Sequence, residues 1–268
     1  MPAGDRPSMT DSVRVERDGE VGRIVFDRPD ANNAMDATAA EGLRAAAADL
    51  ASDDDCRCIV STGVGGVFNT GADLTALDGD ERDETAIRAL AGTLHEFVGT
   101  LARAPKPVVC GVNGVAAGGG IGPALVGDVV IAAASARFQF AYPAIGLSAD
   151  GGSSYFLPRL VGVREAQRIA MRDEPVDAAE ADELGLVTET VPDDEFDDAL
   201  QSEAEALGAG PTRAYAETRD LLWTSLDHGL GEQLAREADR IAGLTRTADY
   251  EAGYAAFFGE ESPEFTGK

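Results

Sequence analysis

The stretch that decides the fold of this chain is "KPVVCGVNGVAAGGGIGPALVGDVVIAA", residues 106–133. A short valine-rich run comes first, and the glycine triplet 118–120 separates it from a longer apolar segment. A short β-branched run bounded by glycine and asparagine indicates a buried strand, and the apolar segment after the glycines indicates a helix. The following "VVIAAASARFQFAYP" predicts two more short strands. Strands that alternate with helices in this way predict an α/β core.

The upstream segment extends the same alternation. "VRVERDGEVGRIVFDRP" predicts a β-hairpin, because apolar and polar residues alternate on both sides of an Asp18-Gly19 turn. We expect a helix from about Asp36, a suitable N-cap, to Ala51. Apolar residues at helical spacing predict a second helix over 84–104.

The downstream segment becomes progressively helical. Helices are expected at about 163–172 and 177–185, and the pattern is helical throughout beyond Pro192. Pro211 is placed at the first position of one helix, and Thr247 is a candidate cap of the last. The predicted division of the chain is a disordered or frayed N-terminus at 1–12, a core at 13–200 and a helical region at 201–268.

The chain is strongly acidic. Its 48 Asp and Glu residues outnumber 22 Lys and Arg residues, which gives a net charge of −26, and its only lysines are Lys106 and Lys268. Such a surface repels nucleic acid and anionic lipid, so neither is an expected partner. Many acids with almost no lysine are typical of proteins from a salt-rich cytoplasm. No run of 18 apolar residues predicts a membrane span, and the polar N-terminus lacks a hydrophobic signal region, so a cytoplasmic location is expected.

The cysteines do not suggest a metal site. Cys56, Cys58 and Cys110 are odd in number and lack the spacing of metal ligands. We therefore expect reduced thiols and no bound metal.

Several stretches, taken in order, resemble the crotonase (enoyl-CoA hydratase/isomerase) superfamily. "DRPDANNAMD" is similar to its first CoA-binding loop, and "FNTGADL" is similar to its first oxyanion loop. The opening stretch 106–133 resembles the second oxyanion loop and the helix after it, and "ADYEAGYAAFFGEESPEFTGK" resembles the C-terminal signature. "IGLSADGGSSYFLPRLVG" and "AAEADELGLVTETV" lie between them in the expected order, so the resemblance runs from about Val13 to Lys268.

The resemblance implies a crotonase fold, which is a spiral of ββα units with a C-terminal helical trimerisation region. It also implies a homotrimer or a dimer of trimers that acts on acyl-CoA thioesters. Coenzyme A is then part of the substrate, and no separate cofactor is expected.

The shared chemistry of the family is stabilisation of an enolate thioester, which needs hydrogen-bond donors at the thioester oxygen. The resemblance assigns this role to the amides of Ala72 and Gly119. It assigns substrate contacts to a further set: Ala34, Asp73, Gly118, Tyr142 and Phe257. From the residues alone, the glycines are equally suited to a tight turn with no chemical role.

The residues expected for hydration are missing. Hydratases of the family use two glutamates, and Gly122 and Tyr142 stand at those two positions. The basic pair that usually follows the C-terminal aromatic residue is replaced by Glu260-Glu261, so Arg28 or Lys268 is a candidate partner for the CoA phosphates.

Asp150, in "SADGG", matches a position that is catalytic in isomerase branches of the family. One carboxylate can take a proton from one carbon and return it two carbons away. Burial beside Tyr142, Ile145 and Phe156 would raise the pKa of Asp150 towards that of a useful base. From spacing alone, Asp150 is equally suited to be the N-cap of the following helix.

The sequence therefore favours an enoyl-CoA isomerase in which Asp150 is the acid–base group. The alternatives are a hydratase or another crotonase reaction, including one with Asp150 as nucleophile, and a non-catalytic acyl-CoA binding protein. Tyr142 either contacts the acyl group or belongs to the core. His95 and His228, on predicted helices, are assigned surface or structural roles.

Overall fold

The computed structural model describes residues 12–259 and 262–268. Its strands are β1 (Val13–Asp18), β2 (Val21–Phe26), β3 (Cys58–Gly63), β4 (Val67–Asn69), β5 (Val108–Val112), β6 (Val115–Ala117), β7 (Val129–Ala133), β8 (Arg137–Gln139), β9 (Val176–Asp177) and β10 (Glu189–Val191). Its α-helices are α1 (Ala37–Ser52), α2 (Asp83–Ala102), α3 (Ile121–Leu125), α4 (Ser153–Arg172), α5 (Ala178–Glu183), α6 (Phe196–Gly208), α7 (Thr212–Thr224), α8 (Leu230–Leu244) and α9 (Ala248–Phe258).

The strands form two sheets. The larger has the order β1-β2-β3-β5-β7-β10 and is parallel except for the β1–β2 hairpin. The smaller has the order β4-β6-β8-β9, in which β9 is antiparallel. Successive strands enter one sheet and then the other before a helix follows, as in β3-β4-α2, β5-β6-α3 and β7-β8-α4. This repetition confirms the predicted α/β spiral of ββα units.

The larger sheet is buried on both faces. Val108 to Val112 is fully buried, as expected for a central parallel strand covered by helices. On one face, α6 places Phe196, Leu200 and Ala204 against the sheet. Helix α6 crosses the predicted boundary between residues 200 and 201 while contributing to the core.

Side-chain caps define the start of three helices, α1, α5 and α9. The Asp36 side chain accepts a hydrogen bond from the amide of Ala39 at 2.8 Å, which confirms the predicted cap of α1. Thr247 caps α9 in the same way through the amide of Tyr250. The placement of Pro211 was wrong by one position: it precedes α7, which begins at Thr212.

Two buried arginines fasten the C-terminal helical region to the core. Arg57 donates to the carbonyls of Gly210, at 2.6 Å, and Phe265, at 2.9 Å. Arg219, on α7, forms an ion pair with Asp128 at 2.9 Å. The region also has exposed apolar side chains: Leu222, Leu226, Leu230, Leu234, Ile241, Tyr254, Phe257 and Phe258. Its predicted role in trimer formation stays a prediction, and the frayed N-terminus predicted for 1–12 falls, except for Ser12, outside the described residues.

The three cysteines are buried and free. Burial raises the pKa of each thiol, and it raises that of Cys110 to about 12. Within 12–259 and 262–268, no group of three or more His, Cys, Asp and Glu side chains is arranged to hold a metal ion. None of the described helices is long and apolar enough to cross a membrane.

Candidate active site

The glycine triplet forms a tight 3-10 turn between β6 and α3. Gly118 has φ +51°, a left-handed conformation that favours glycine. A Cβ on Gly120 would lie 2.2 Å from the carbonyl oxygen of Asn69, so this turn packs directly against the end of β4. The turn therefore requires glycine at two positions, and it presents Gly119 between them.

The first oxyanion loop meets this turn. A Cβ on Gly71 would lie 2.7 Å from the amide nitrogen of Gly119, so the two loops are in contact. Ala72 forms an isolated parallel bridge with Met35. The bonds of that bridge use the carbonyl of Gly71 and the amide of Asp73, and neither uses the amide of Ala72. The structure thus brings together the Ala72 and Gly119 segments predicted to supply the two donors.

Arg28 ties the predicted CoA-binding loop to the first oxyanion loop. Its guanidinium donates to the carbonyl of Ala34 at 2.5 Å and forms ion pairs with Asp73, at 3.0 Å, and Asp36, at 3.2 Å. Hydrogen bonds from the Thr75 side chain and amide, helped by Arg28, lower the pKa of Asp73. Arg28 thus links Ala34 and Asp73, two residues assigned to substrate contact, whose assignment stays a prediction. Because Arg28 is already paired with two carboxylates, it is a poor partner for a CoA phosphate.

Asp150 does not cap the following helix. Helix α4 begins at Ser153, and its N-cap residue is Gly152, which makes no side-chain cap. The backbone carbonyl of Asp150 accepts from the amide and hydroxyl of Ser153, which leaves its carboxylate free for another partner. The cap alternative is therefore excluded, and the carboxylate is available for chemistry.

The partner of that carboxylate is His95. Nε2 of His95, on α2, lies 2.5 Å from Oδ1 of Asp150. The assignment of His95 to a surface or purely structural role was thus incomplete, because its exposed ring reaches the candidate catalytic acid. Sequence spacing shows only the face of α2 on which His95 lies, together with Val98, Gly99 and Ala102, and it does not show what that face contacts.

The position of the missing first glutamate is closed by backbone. A Cβ on Gly122 would lie 1.6 Å from the carbonyl oxygen of Gly151. Gly151 has φ +60° and Gly152 has φ +83°, so this segment turns in a left-handed conformation that suits glycine. The segment that carries Asp150 therefore occupies the space where a glutamate side chain would begin.

Tyr142, at the position of the second glutamate, is 7% exposed, and its hydroxyl has no hydrogen-bond partner in the described part of the chain. It lies near the Asp150 amide and the Ser153 hydroxyl without hydrogen-bonding geometry. Burial raises the pKa of the phenol, and the Asp150 carboxylate raises it further. The hydroxyl is therefore a protonated donor with no partner beside the candidate catalytic acid.

Two residues expected at the substrate or beside Asp150 are exposed in this chain. Phe257, near the end of α9, is 83% exposed and contacts Phe258. Ile145 is 51% exposed, whereas Tyr142 and Phe156 are buried, so the expected apolar surroundings of Asp150 are incomplete. The Asp150 side chain itself is 31% exposed. Glu260 and Glu261 lie outside the described residues.

Comparison with known proteins identifies the class. The family model for enoyl-CoA hydratase/isomerase matches residues 16–268. A Rhodobacter capsulatus protein named "Probable enoyl-CoA hydratase" is 36% identical over 257 residues, which are 96% of this chain and 98% of that protein. The Escherichia coli 1,2-epoxyphenylacetyl-CoA isomerase is 37% identical over 241 residues, or 88% of this chain and 90% of its own.

A solved structure leads to the same class. The enoyl-CoA hydratase/isomerase from Cupriavidus metallidurans CH34 superposes with a TM-score of 0.88 at 30% identity, covering 95% of this chain and 96% of its own. The fold is therefore the crotonase fold. The chain belongs to the enoyl-CoA hydratase/isomerase family, in which relatives carry the names of both hydratases and isomerases.

Proposed function

We propose that this chain moves a double bond within an enoyl-CoA thioester, with Asp150 as the acid–base group. The observation that carries the proposal is the Asp150 carboxylate, which does not cap α4 and instead meets His95 Nε2 at 2.5 Å, on a segment that contacts Gly119. The closed space at Gly122 supports it, because the chain lacks the glutamate pair used for hydration.

The reaction needs one acid–base group and an oxyanion hole that stabilises the enolate. Asp150 removes a proton from C2 of a 3-enoyl thioester, and the electron pair moves onto the thioester oxygen to form an enolate. The amides of Ala72 and Gly119 bind that oxygen more strongly as its negative charge develops, which lowers the barrier. Asp150 then returns the proton to C4, the double bond moves to C2–C3, and the carboxylate is regenerated.

His95 and Tyr142 have supporting roles in this proposal. His95 fixes the orientation of the Asp150 carboxylate. Tyr142 keeps its proton because the pKa of its phenol is raised, so it is a donor for an oxygen of the substrate or for the Asp150 carboxylate. His95 is a positioning residue, Tyr142 is a hydrogen-bond donor, and neither replaces Asp150 as the proton carrier.

The test is an isotope experiment. The protein is incubated in D₂O with a 3-enoyl-CoA and with the corresponding 2-enoyl-CoA, and both are followed by mass spectrometry. We expect deuterium uptake and double-bond migration without a gain of water. Asp150→Asn should lower the rate by a factor of about 10²–10⁴ while circular dichroism and CoA binding stay unchanged.

The matched control is Asp182→Asn, the same exchange at an exposed acid on α5. It should leave the rate unchanged. An Asp150→Asn variant that turns over at the wild-type rate would sink the proposal. Absence of exchange with both thioesters would favour the binding protein that the sequence left as an alternative.

Hydration is the second candidate, and the His95–Asp150 contact favours it. Adding water needs a base for water and an acid for the α-carbon. In this alternative His95 is the second proton carrier, in place of the missing glutamate. A product heavier by one water, formed by the wild type and lost in His95→Gln, would establish hydration. If Asp150 is instead a nucleophile, intact protein caught during turnover will carry a covalent acyl adduct that Asp150→Asn lacks.

A further inference from the structure

A cavity of about 850 Å³ lies behind the candidate catalytic acid. His95, the partner of Asp150, and Gly151, the residue after it, both line the cavity. Its remaining walls come from α2, from the start of α4 and from α7 and α8. The cavity therefore borders the segment that carries Asp150 on the side of His95.

One wall of the cavity is aromatic. Tyr155 and Phe156 of α4 meet Trp223 of α7, with ring centroids 5.4 Å apart for Tyr155–Phe156, 5.5 Å for Phe156–Trp223 and 6.3 Å for Tyr155–Trp223. Two of these pairs meet edge to face, at 88° and 77°. Phe156 is buried, whereas Tyr155 is 40% exposed, so this wall presents aromatic surface to the cavity.

The α2 side of the cavity carries small side chains. It is formed by Val98, Gly99 and Ala102, which share the helical stripe of His95. Among the described residues that line the cavity, none is leucine, isoleucine or methionine. Part of the lining is charged: it includes Arg103, Glu217, Arg219, Asp220 and Arg240, and the Arg103 guanidinium lies over Gly99. The uncharged part combines small α2 side chains with the three rings, so it offers a flat group ring contacts and offers a long alkyl chain few aliphatic ones.

We propose that this cavity takes an aromatic acyl group, so that the preferred substrate is an aryl-bearing acyl-CoA rather than a straight-chain fatty acyl-CoA. The inference rests on the proposed function, because it assigns the substrate class of the same site. An aromatic ring gains edge-to-face contacts with Phe156 and Trp223 that an alkyl chain of equal carbon count lacks.

Trp223 is the only tryptophan of the chain, and it lines both this cavity and the neighbouring one that contains Leu222. Tyr155 lines this cavity and not the other, so it distinguishes the two. The experiment titrates the protein with phenylacetyl-CoA and with octanoyl-CoA, both of which carry eight acyl carbons. Trp223 fluorescence and calorimetry give the affinities without any need for turnover. We expect phenylacetyl-CoA to bind about tenfold more tightly and to change the fluorescence of Trp223.

Two variants test the wall itself. Trp223→Leu should bring the two affinities within about twofold of each other by loss of phenylacetyl-CoA affinity, measured by calorimetry because the fluorophore is gone. Tyr155→Leu is at a half-exposed position and gives a second test if Trp223→Leu fails to fold. Leu222→Ala is the control, because Leu222 is 67% exposed and lines a different cavity on the same helix.

The outcomes separate this inference from the proposed function. Equal affinities, tighter binding of octanoyl-CoA, or a preference that survives both wall variants would overturn the aromatic assignment while leaving the Asp150 chemistry intact. Wild-type turnover by Asp150→Asn would overturn the proposed function without changing the ratio of affinities. Failure of both thioesters to bind would overturn both.

Discussion

The close contact between Gly122 and Gly151 requires glycine at position 122. Gly122→Ala places a Cβ within 1.6 Å of the Gly151 carbonyl oxygen, so the backbone that carries Asp150 has to move. We expect a loss of about 1–3 kcal/mol in the free energy of unfolding, together with loss of activity. Chemical denaturation and the isotope assay measure the two effects.

The control is the same exchange where space is open. A Cβ on Gly92, inside α2, meets no atom within 4 Å. Gly92→Ala should raise the free energy of unfolding by about 0.4–1 kcal/mol, because alanine restricts the unfolded chain and favours the helix. A Gly122→Ala variant as stable and active as Gly92→Ala would contradict the closed geometry.

Tyr142→Phe should change stability and activity in opposite directions. The buried hydroxyl of Tyr142 has no partner, so Tyr142→Phe removes an unsatisfied polar group and should stabilise the fold by about 1 kcal/mol. If the hydroxyl donates to bound substrate, kcat/KM should fall about tenfold in the same variant. An unchanged kcat/KM would assign Tyr142 to the core, the alternative that the sequence left open.

At this scale, the resemblance located Asp150 and the empty glutamate positions, but nothing in the sequence located the contact of His95. The two residues are 55 positions apart, and their side chains meet because the loop before α4, at Gly151 and Gly152, lies against Leu94 and Val98 of α2. Sequence spacing gave the stripe of α2 on which His95 lies. It did not show that the loop before α4 would bring the Asp150 carboxylate to the His95 side of α2.

At the scale of elements, Arg28 and Asp73 join the predicted CoA-binding loop to the predicted first oxyanion loop, and we expect the stability of this contact to depend on pH. The Thr75 hydrogen bonds and Arg28 lower the folded-state pKa of Asp73 below its unfolded value. The carboxylate therefore contributes stability above the unfolded pKa, and that contribution is lost as pH falls through the folded pKa. We expect Asp73→Asn to destabilise the protein at pH 7 and to make a smaller difference as pH falls below about 4.

Denaturation of wild type and Asp73→Asn at several pH values measures this effect. Thr75→Val removes the hydroxyl that donates to the Asp73 carboxylate, so the pKa of Asp73 should rise in an NMR titration of that variant. A difference between wild type and Asp73→Asn that stays constant from pH 7 to pH 3 would contradict the assignment.

Periodicity predicted the elements well where the residues carry their own signals. The cap of α1 by Asp36 needs no tertiary information, and the predicted helix start at 163 corresponds to Gly162, where φ of +76° interrupts α4. Pro211 was misplaced by one residue, because proline suits both the cap and the first turn. Hydrophobic periodicity alone did not predict the order of the strands in the two sheets, because that order depends on contacts between strands far apart in the sequence.

For the whole molecule, charge predicts a response to salt. A net charge of −26 repels itself in dilute buffer, and that repulsion is screened within about 3 Å at 1 M salt. We expect Tm to rise by about 5–10 °C between dilute buffer and molar KCl, since each kcal/mol is worth about 2–4 °C at this size. Calorimetry at a series of KCl concentrations checks this, and a Tm that is flat or falls with KCl would contradict the salt-adapted interpretation.

The buried thiols have a practical consequence for studying assembly. All three cysteines are buried with raised pKa values, so they react slowly with alkylating dyes. A cysteine introduced at the exposed position Asp182, on α5 and outside the C-terminal helical region, would therefore take up a fluorophore selectively without removal of the native thiols. Energy transfer between donor- and acceptor-labelled copies would then count the subunits that meet in solution, on a protein whose core has not been altered.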